Sequence, residues 1–467
     1  MMGAPSAATT AESNLKRSIT LPQALGITFH QIVGAGILAI LGSAISLTGG
    51  GVPLAIVITA VALPLASMPY AAMASALPTA GGMYRYAARV VHPALGFLNL
   101  SFVVLGQITV GVFGLTAGIY LESLNSWFNP RWVAVTLILV FFVVNLLGAS
   151  FSARVGIALA GVMLAAYAVF VVAGFLDIDW ADYPAVLPDG IGGLLQTSAL
   201  LTFVLGGGTF IAELGGEMKN PGRAIPISIV GGTLFAGVIY ILLAIPAVGV
   251  LPIPEVAGKP LSVVASEVLP HPMFVFFVIG GSLVAAVGSM NASMTWGTKG
   301  LLIAIGDGWF PAGFGAVNKR FGTPHYLLVA VTLVGLAPVV LGYGIEDIAK
   351  GVSAFLALAI IILVGASLRL RRRRPDLFEA APFRLPWAVH VGLSIFSVPV
   401  LGITTYLLLT HLSPVAAIGL LVWLAACGIW FCVRYPRIRP MLMERSRVLL
   451  TPPGVPAIGD VAVAVAN

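Results

Sequence analysis

The chain has 467 residues, 59% of them hydrophobic and 9% charged, and a formal net charge of +7. That leaves too little polar surface for a water-soluble domain of this length, so the composition is that of an integral membrane protein. The positive balance reflects topology rather than a nucleic-acid partner, because the basic residues fall in short loops between apolar stretches.

In chain order, residues 1–18 lack the apolar core of a cleaved signal peptide and read as a flexible cytoplasmic tail. Twelve apolar stretches follow, each long enough for a ~30 Å hydrocarbon core: 21–47, 51–77, 93–121, 130–149, 154–176, 191–216, 225–251, 270–305, 324–342, 347–369, 386–410 and 414–434. Residues 436–467 read as a second flexible cytoplasmic tail. With the N-terminus inside, only Arg131, Lys259 and Lys350 fall outside among the loop basic residues. The run Arg369 to Arg374 lies inside, as cytoplasmic retention of basic loops requires. The loop 177–190 carries Asp177, Asp179, Asp182 and Asp189 without a basic residue and faces outward. Cys427 and Cys432 lie in the last stretch with no metal-ligand set beside them, and read as packing residues. No cofactor or metal is expected.

The first span, within HQIVGAGILAI, is interrupted at Gly34-Ala35-Gly36, and the sixth, within TFVLGGGTFIAELGGEMKNPGRAIP, at Gly206, Gly207 and Gly208. Each glycine costs a helix about 1 kcal/mol. In lipid, freed backbone groups survive only where protein buries them or a watery cavity solvates them, so two broken spans in corresponding places point to a transporter's binding site. Close helix packing by glycine is the alternative, although packing glycines recur at four-residue spacing. Breaks in spans one and six imply a five-helix unit repeated in inverted orientation. The fold class is therefore an all-α integral membrane protein with a 5+5 inverted repeat. Residues 19–369 form the core, and 370–435 hold helices eleven and twelve behind a basic loop.

Four motifs in this order resemble the amino acid–polyamine–organocation transporter superfamily over about residues 15–435. They are IVGAGI at 32–37, ALPTAGGMYRYA at 76–87, GGEMKNPGRAIP at 215–226, and KGLLIAIGDGWFP at 299–311 with FGTPH at 321–325. Lys299 stands where the family usually has arginine. The resemblance implies an amino acid permease of the leucine-transporter-type fold in the cytoplasmic membrane, working by alternating access. A carrier of amines or polyamines and a non-transporting nutrient receptor are the alternatives.

Oppositely polarised helix ends suit an amino acid's carboxylate and ammonium. The resemblance implies that amides at Gly34, Ala35 and Gly36, beside Ile32 and Val33, meet the carboxylate. Carbonyls from Phe203 and Val204 to Gly206 would meet the ammonium. Phe203 aligns with an aromatic gate or is a packing residue. Thr209 aligns with a position acidic in cation-preferring relatives, which favours a neutral substrate. Gln107 and Thr109 in the third span line the cavity or bond neighbouring helices.

For energy coupling, Glu213 is a proton carrier or the partner of an interfacial ion pair with Arg223 or Arg85. His30 is a titratable group near the cavity or a packing histidine. Aligning on Asn145, Gly148 and Arg154 puts Met163 where several proton-coupled relatives carry lysine. Sodium, the alternative to a proton or to exchange, would need oxygens from the first break and from Ser289 or Ser293. Tyr84, Arg85, Glu217, Lys219, Arg223 and Asp307, with Asn220, form a cytoplasmic polar set read as the inner gate or as a topological anchor.

Overall fold

The computed structural model describes residues 17–147, 149–188, 190–318, 320 and 323–451. The ends of both expected tails, Asp189, the Gly148 used in alignment and part of FGTPH lie outside the described residues. The structure is all-helical, with no strand among the described residues. Among the described residues, nine helical runs are long and apolar enough to cross a membrane, and Pro130–Leu146 and His325–Leu341 are shorter apolar helices.

The first run contains α1 (Leu21–Ile32), α2 (Ala35–Thr48) and α3 (Val52–Ala76). The third expected span is two helices, α4 (Pro93–Gly106) and α5 (Thr109–Glu122), separated by a tight turn at Gln107 and Ile108 that sequence reading did not anticipate. Then come α6 (Pro130–Leu146), α7 (Ala149–Asp177) and α8 (Gly190–Leu205). The runs α9 (Pro221–Gly249), α10 (His271–Gly306), α11 (His325–Leu341), α12 (Ile345–Arg373), α13 (Trp387–Thr410) and α14 (Pro414–Leu450) complete the chain.

Apolar side chains cover the outside as well as the core. Val143, Leu333, Val340, Ile395, Ile418 and Leu421 are exposed, as lipid-facing positions are and as soluble surfaces avoid. Inside, α1, α2, α8 and α10 converge. Two isolated backbone bridges, Ile19 to Met218 and Ala80 to Leu214, fasten the chain start and the 76–87 motif to the end of the sixth span.

One expectation is corrected. Residues from 436 to 450 are not a flexible tail but continue α14, which runs 37 residues. At 1.5 Å per residue that is roughly 55 Å, well beyond a ~30 Å hydrocarbon core. Its extension is held by packing rather than by composition: Leu442 is fully buried and Ile438 nearly so. Arg374 donates to the Leu449 and Thr451 carbonyls at 2.9 and 3.3 Å. The same guanidinium bonds Asp376, holding that exposed carboxyl below its ordinary range.

Candidate functional site

Helix α1 ends at Ile32, and α2 starts at Ala35 with Gly34 as its N-cap. A glycine is needed at 34 because a Cβ there would stand 1.6 Å from Ser289 Oγ and 2.4 Å from the His30 carbonyl oxygen. The Ser289 hydroxyl joins the two helix ends, donating to the His30 carbonyl at 2.8 Å and accepting the Ala35 N–H at 3.2 Å. The Tyr240 hydroxyl donates to the Ile32 carbonyl. Side chains from α9 and α10 thus satisfy groups that the break frees.

In the sixth span the α-helix stops at Leu205 and Gly206–Glu213 continues as a 3₁₀ helix. The change from i→i+4 to i→i+3 bonding redirects the carbonyls at the junction. Thr209 Oγ donates to the Gly206 carbonyl at 2.8 Å, and Thr233 Oγ to that of Leu205 at 3.2 Å. Thr209 therefore supports the break from within. The two breaks touch: a Cβ on Gly207 would lie 2.7 Å from the Gln31 carbonyl oxygen, and one on Gly36 2.6 Å from Val204.

Between them lies a cavity of about 20 Å³, room for about one water. Gln31, Gly36, Thr109, Phe113, Phe203, Val204, Gly207, Phe210, Ser353 and Leu356 line it, and none is ionisable. Anything larger than a water can occupy it only when the helices part. Phe203 and Phe113 approach with ring centres 6.4 Å apart. A larger apolar cavity of about 290 Å³ opens between α4, α11, α12 and α14. It lacks convergent polar groups: its one carboxylate, Asp347, accepts from Ser413 Oγ at 2.5 Å. The smaller cavity is the better candidate, because the helix ends meet there.

Gln107 and His30 do not line this cavity. The Gln107 amide lies against α10, where a Cβ on Gly297 would be 2.4 Å from its oxygen. The His30 ring packs edge-on against Phe29 at 5.7 Å and crowds Gly288. Met163 is fully buried in α7. Ser293 donates to the Gln31 amide oxygen at 3.1 Å. Sequence reasoning missed Gln31, Phe113, Phe210, Ser353 and Leu356. Only Gln31 carried a signal, as a polar residue three positions before Gly34.

Glu213 is fully buried. One carboxylate oxygen accepts the Met83 N–H at 2.7 Å, and the other has no hydrogen-bond partner. A Cβ on Gly300 would lie 3.2 Å from that second oxygen. The expected pairing with Arg223 or Arg85 is not made: Arg223 is exposed, and Arg85 donates to Thr79 Oγ at 2.6 Å.

The polar end of the molecule is built around two buried acids. Glu217 pairs with Lys299 at 2.6 Å. Asp307 is fully buried and accepts from the Tyr84 hydroxyl and from Arg89, each at 2.5 Å, and from Arg445 of the α14 extension. Trp309 donates to the Tyr84 hydroxyl at 2.8 Å, and Arg434 to the Gly308 carbonyl at 2.7 Å. Lys219 is exposed and, like Arg223, makes no ion pair among the described residues. Of the expected gate set, Tyr84, Glu217 and Asp307 meet partners from other elements. Lys299→Met leaves the Glu217 carboxylate buried without a cation, and is expected to lower stability by about 3 kcal/mol. Lys299→Arg is expected to retain most of it. Melting of the detergent-purified variants checks both; equal losses would make Lys299 a packing residue.

A family model described as amino acid permease matches residues 19–435. The chain is 25% identical to a branched-chain amino acid permease of Bacillus subtilis, over 90% of this chain and 93% of that protein. It is 30% identical to an uncharacterized transporter of Mycobacterium tuberculosis, over 69% of this chain and 74% of the other. It is 26% identical to a serine/threonine exchanger of Bacillus subtilis, over 59% and 64% respectively.

Proposed function

We propose a transport mechanism from one established premise: this chain belongs to the amino acid permease family. It is a multi-pass membrane protein whose relatives are amino acid transporters. Its substrate is a neutral amino acid, carried across the cytoplasmic membrane by alternating access. The observation that carries this reading is the small cavity between two touching helix breaks, lined by no ionisable side chain. A zwitterion's charges then fall to backbone ends, the carboxylate to the start of α2 and the ammonium to carbonyls near the end of α8. The names of the branched-chain and serine/threonine relatives agree with a neutral substrate.

The helices are read as twelve crossings with both termini inside, since the basic loops then gather on one side. The breaks sit five crossings apart, as an inverted 5+5 repeat requires. The pairs at Glu217 and Asp307 close the inner end, and part as the bundle rocks.

A ligand that binds only the native state raises apparent stability by mass action. Thermal stabilisation across the twenty amino acids, polyamines and small amines is the first test. A selective shift by a neutral amino acid supports the reading. Shifts only from amines lacking a carboxylate would overturn it.

Coupling is assigned to a proton at Glu213. Its unpartnered oxygen sits where the 3₁₀ stretch, the 76–87 motif and α10 meet, and Tyr70 and Tyr86 lie within electrostatic reach. Sodium is disfavoured because Ser289 already bonds both ends of the first break. Glu213→Gln keeps an acceptor for the Met83 N–H but cannot gain or lose the proton, so uptake by this variant is expected to be flat with pH. An unchanged pH profile would return Glu213 to a structural role and leave exchange as the mode.

A further inference from the structure

The cavity wall is almost without hydrogen-bond donors on its side chains. Its polar side chains are Gln31, Thr109 and Ser353. Two have spent their hydrogens on backbone carbonyls, Thr109 on that of Gly106 at the end of α4 at 2.8 Å and Ser353 on that of Ala349 in its own helix at 2.7 Å. Those hydroxyls can still accept, but donation falls to the Gln31 amide.

The direction of that amide is set by its neighbours. Trp296 Nε1 lies 3.0 Å from the Gln31 side-chain oxygen. Shape alone does not distinguish the oxygen and nitrogen of an amide, but an indole N–H only donates. The atom facing it must therefore be the oxygen, which also accepts from Ser293 at 3.1 Å. Trp296 is itself nearly fully buried and stacked on Phe210 with ring centres 4.0 Å apart and planes 4° from parallel. Phe210 lines the same cavity. The ring cannot turn away, so the amide cannot flip without stranding an indole N–H. Its NH₂ group has no protein acceptor among the described residues.

We infer that Gln31 is a specificity residue, positioned by Trp296, whose amide N–H donates to an oxygen on the substrate's side chain. The inference rests on the transport reading above, in which backbone ends receive the carboxylate and ammonium and leave the side chain facing the remaining wall. The substrate class is then a small neutral amino acid with a side-chain hydroxyl or carbonyl oxygen. An aliphatic side chain of the same size would strand the amide N–H in a closed, largely apolar space, which sites built for hydrogen bonding reject.

Threonine and valine are the discriminating pair, being nearly equal in shape and differing in a hydroxyl against a methyl. Competition by L-threonine and L-valine for uptake in vesicles, with thermal stabilisation by each, is measured for the unaltered protein, Gln31→Leu and Trp296→Phe. The unaltered protein is expected to prefer threonine by about tenfold or more. Gln31→Leu is expected to bring the ratio to one or reverse it. Trp296→Phe keeps the stack on Phe210 but releases the amide, and is expected to give an intermediate ratio. That variant decides the matter if Gln31→Leu fails to fold.

A protein that takes valine as well as threonine overturns the role of Gln31 while leaving transport intact. A threonine preference that survives both substitutions also overturns it, as does an equal loss of both substrates in Gln31→Leu, the signature of a carboxylate contact. A protein that neither takes up nor is stabilised by any amino acid sinks the transport reading instead.

Discussion

Replacing Gly207 with leucine is expected to abolish uptake and ligand-induced stabilisation while the protein still reaches the membrane. The added Cβ alone would stand 2.7 Å from the Gln31 carbonyl oxygen and 3.1 Å from Gln31 Cγ. A backbone carbonyl at a helix end cannot retreat as a flexible side chain can, so the two breaks must separate. Overpacking of this kind costs about 1–3 kcal/mol, which a large helical membrane protein can absorb. The site cannot absorb it, because a cavity of about 20 Å³ has no space for three further carbons beside a substrate. Separating the breaks removes at least one hydrogen bond to a charged end of the substrate, worth about 1.5–3 kcal/mol, so affinity should fall by roughly 10- to 100-fold. Gly207→Ala should lie between. Wild-type affinity in Gly207→Leu would show that these breaks pack helices rather than hold substrate.

Both breaks were legible because consecutive glycines in an apolar run oppose helix formation and require compensation. Their positions, at 34–36 and 206–208, match the helix ends within a residue or two. How each break is satisfied was not legible. The Ser289 bridge and the Tyr240 cap come from α10 and α9, far along the chain; Ser289 entered the sequence reading only as a possible sodium ligand, and nothing local announces the Tyr240 cap. The same reason hides the direction of a side chain. Gln107 and Gln31 are both polar residues in apolar spans, yet only Gln31 faces the cavity, because neighbouring helices decide which way each one points. The α14 extension was misread for another cause. Its arginines and its internal Pro436 and Pro440 look like a solvated tail, and only the buried Ile438 and Leu442 and the acceptors for Arg434 and Arg445 make the helix worth forming.

That extension makes Asp307 the position where a single charge should matter most. The carboxylate is fully buried and takes three donors, the Tyr84 hydroxyl and the guanidinium groups of Arg89 and Arg445. Asp307→Asn keeps the shape but removes the charge and turns an N–H₂ group toward at least one guanidinium. Arg89, only 7% exposed, then has no buried counter-charge at this site, so the loss should reach about 5 kcal/mol, the upper end for breaking a buried pair from one side. Arg445→Ala is the milder change. It removes one donor, leaves Asp307 paired with Arg89 and Tyr84, and should cost about 1.5–3 kcal/mol, the range for a hydrogen bond to a charged group. High salt should rescue neither variant, because burial shields the cluster from mobile ions. Melting of the purified variants gives the ranking, and labelling of a cysteine placed in the cavity reports whether the inner end opens. If the cluster is the inner gate, accessibility from the cytoplasmic side should rise in Asp307→Asn more than in Arg445→Ala. Loss of stability without a change in accessibility would make the cluster an anchor for α14, and the inner seal would then rest on Glu217 and Lys299 alone.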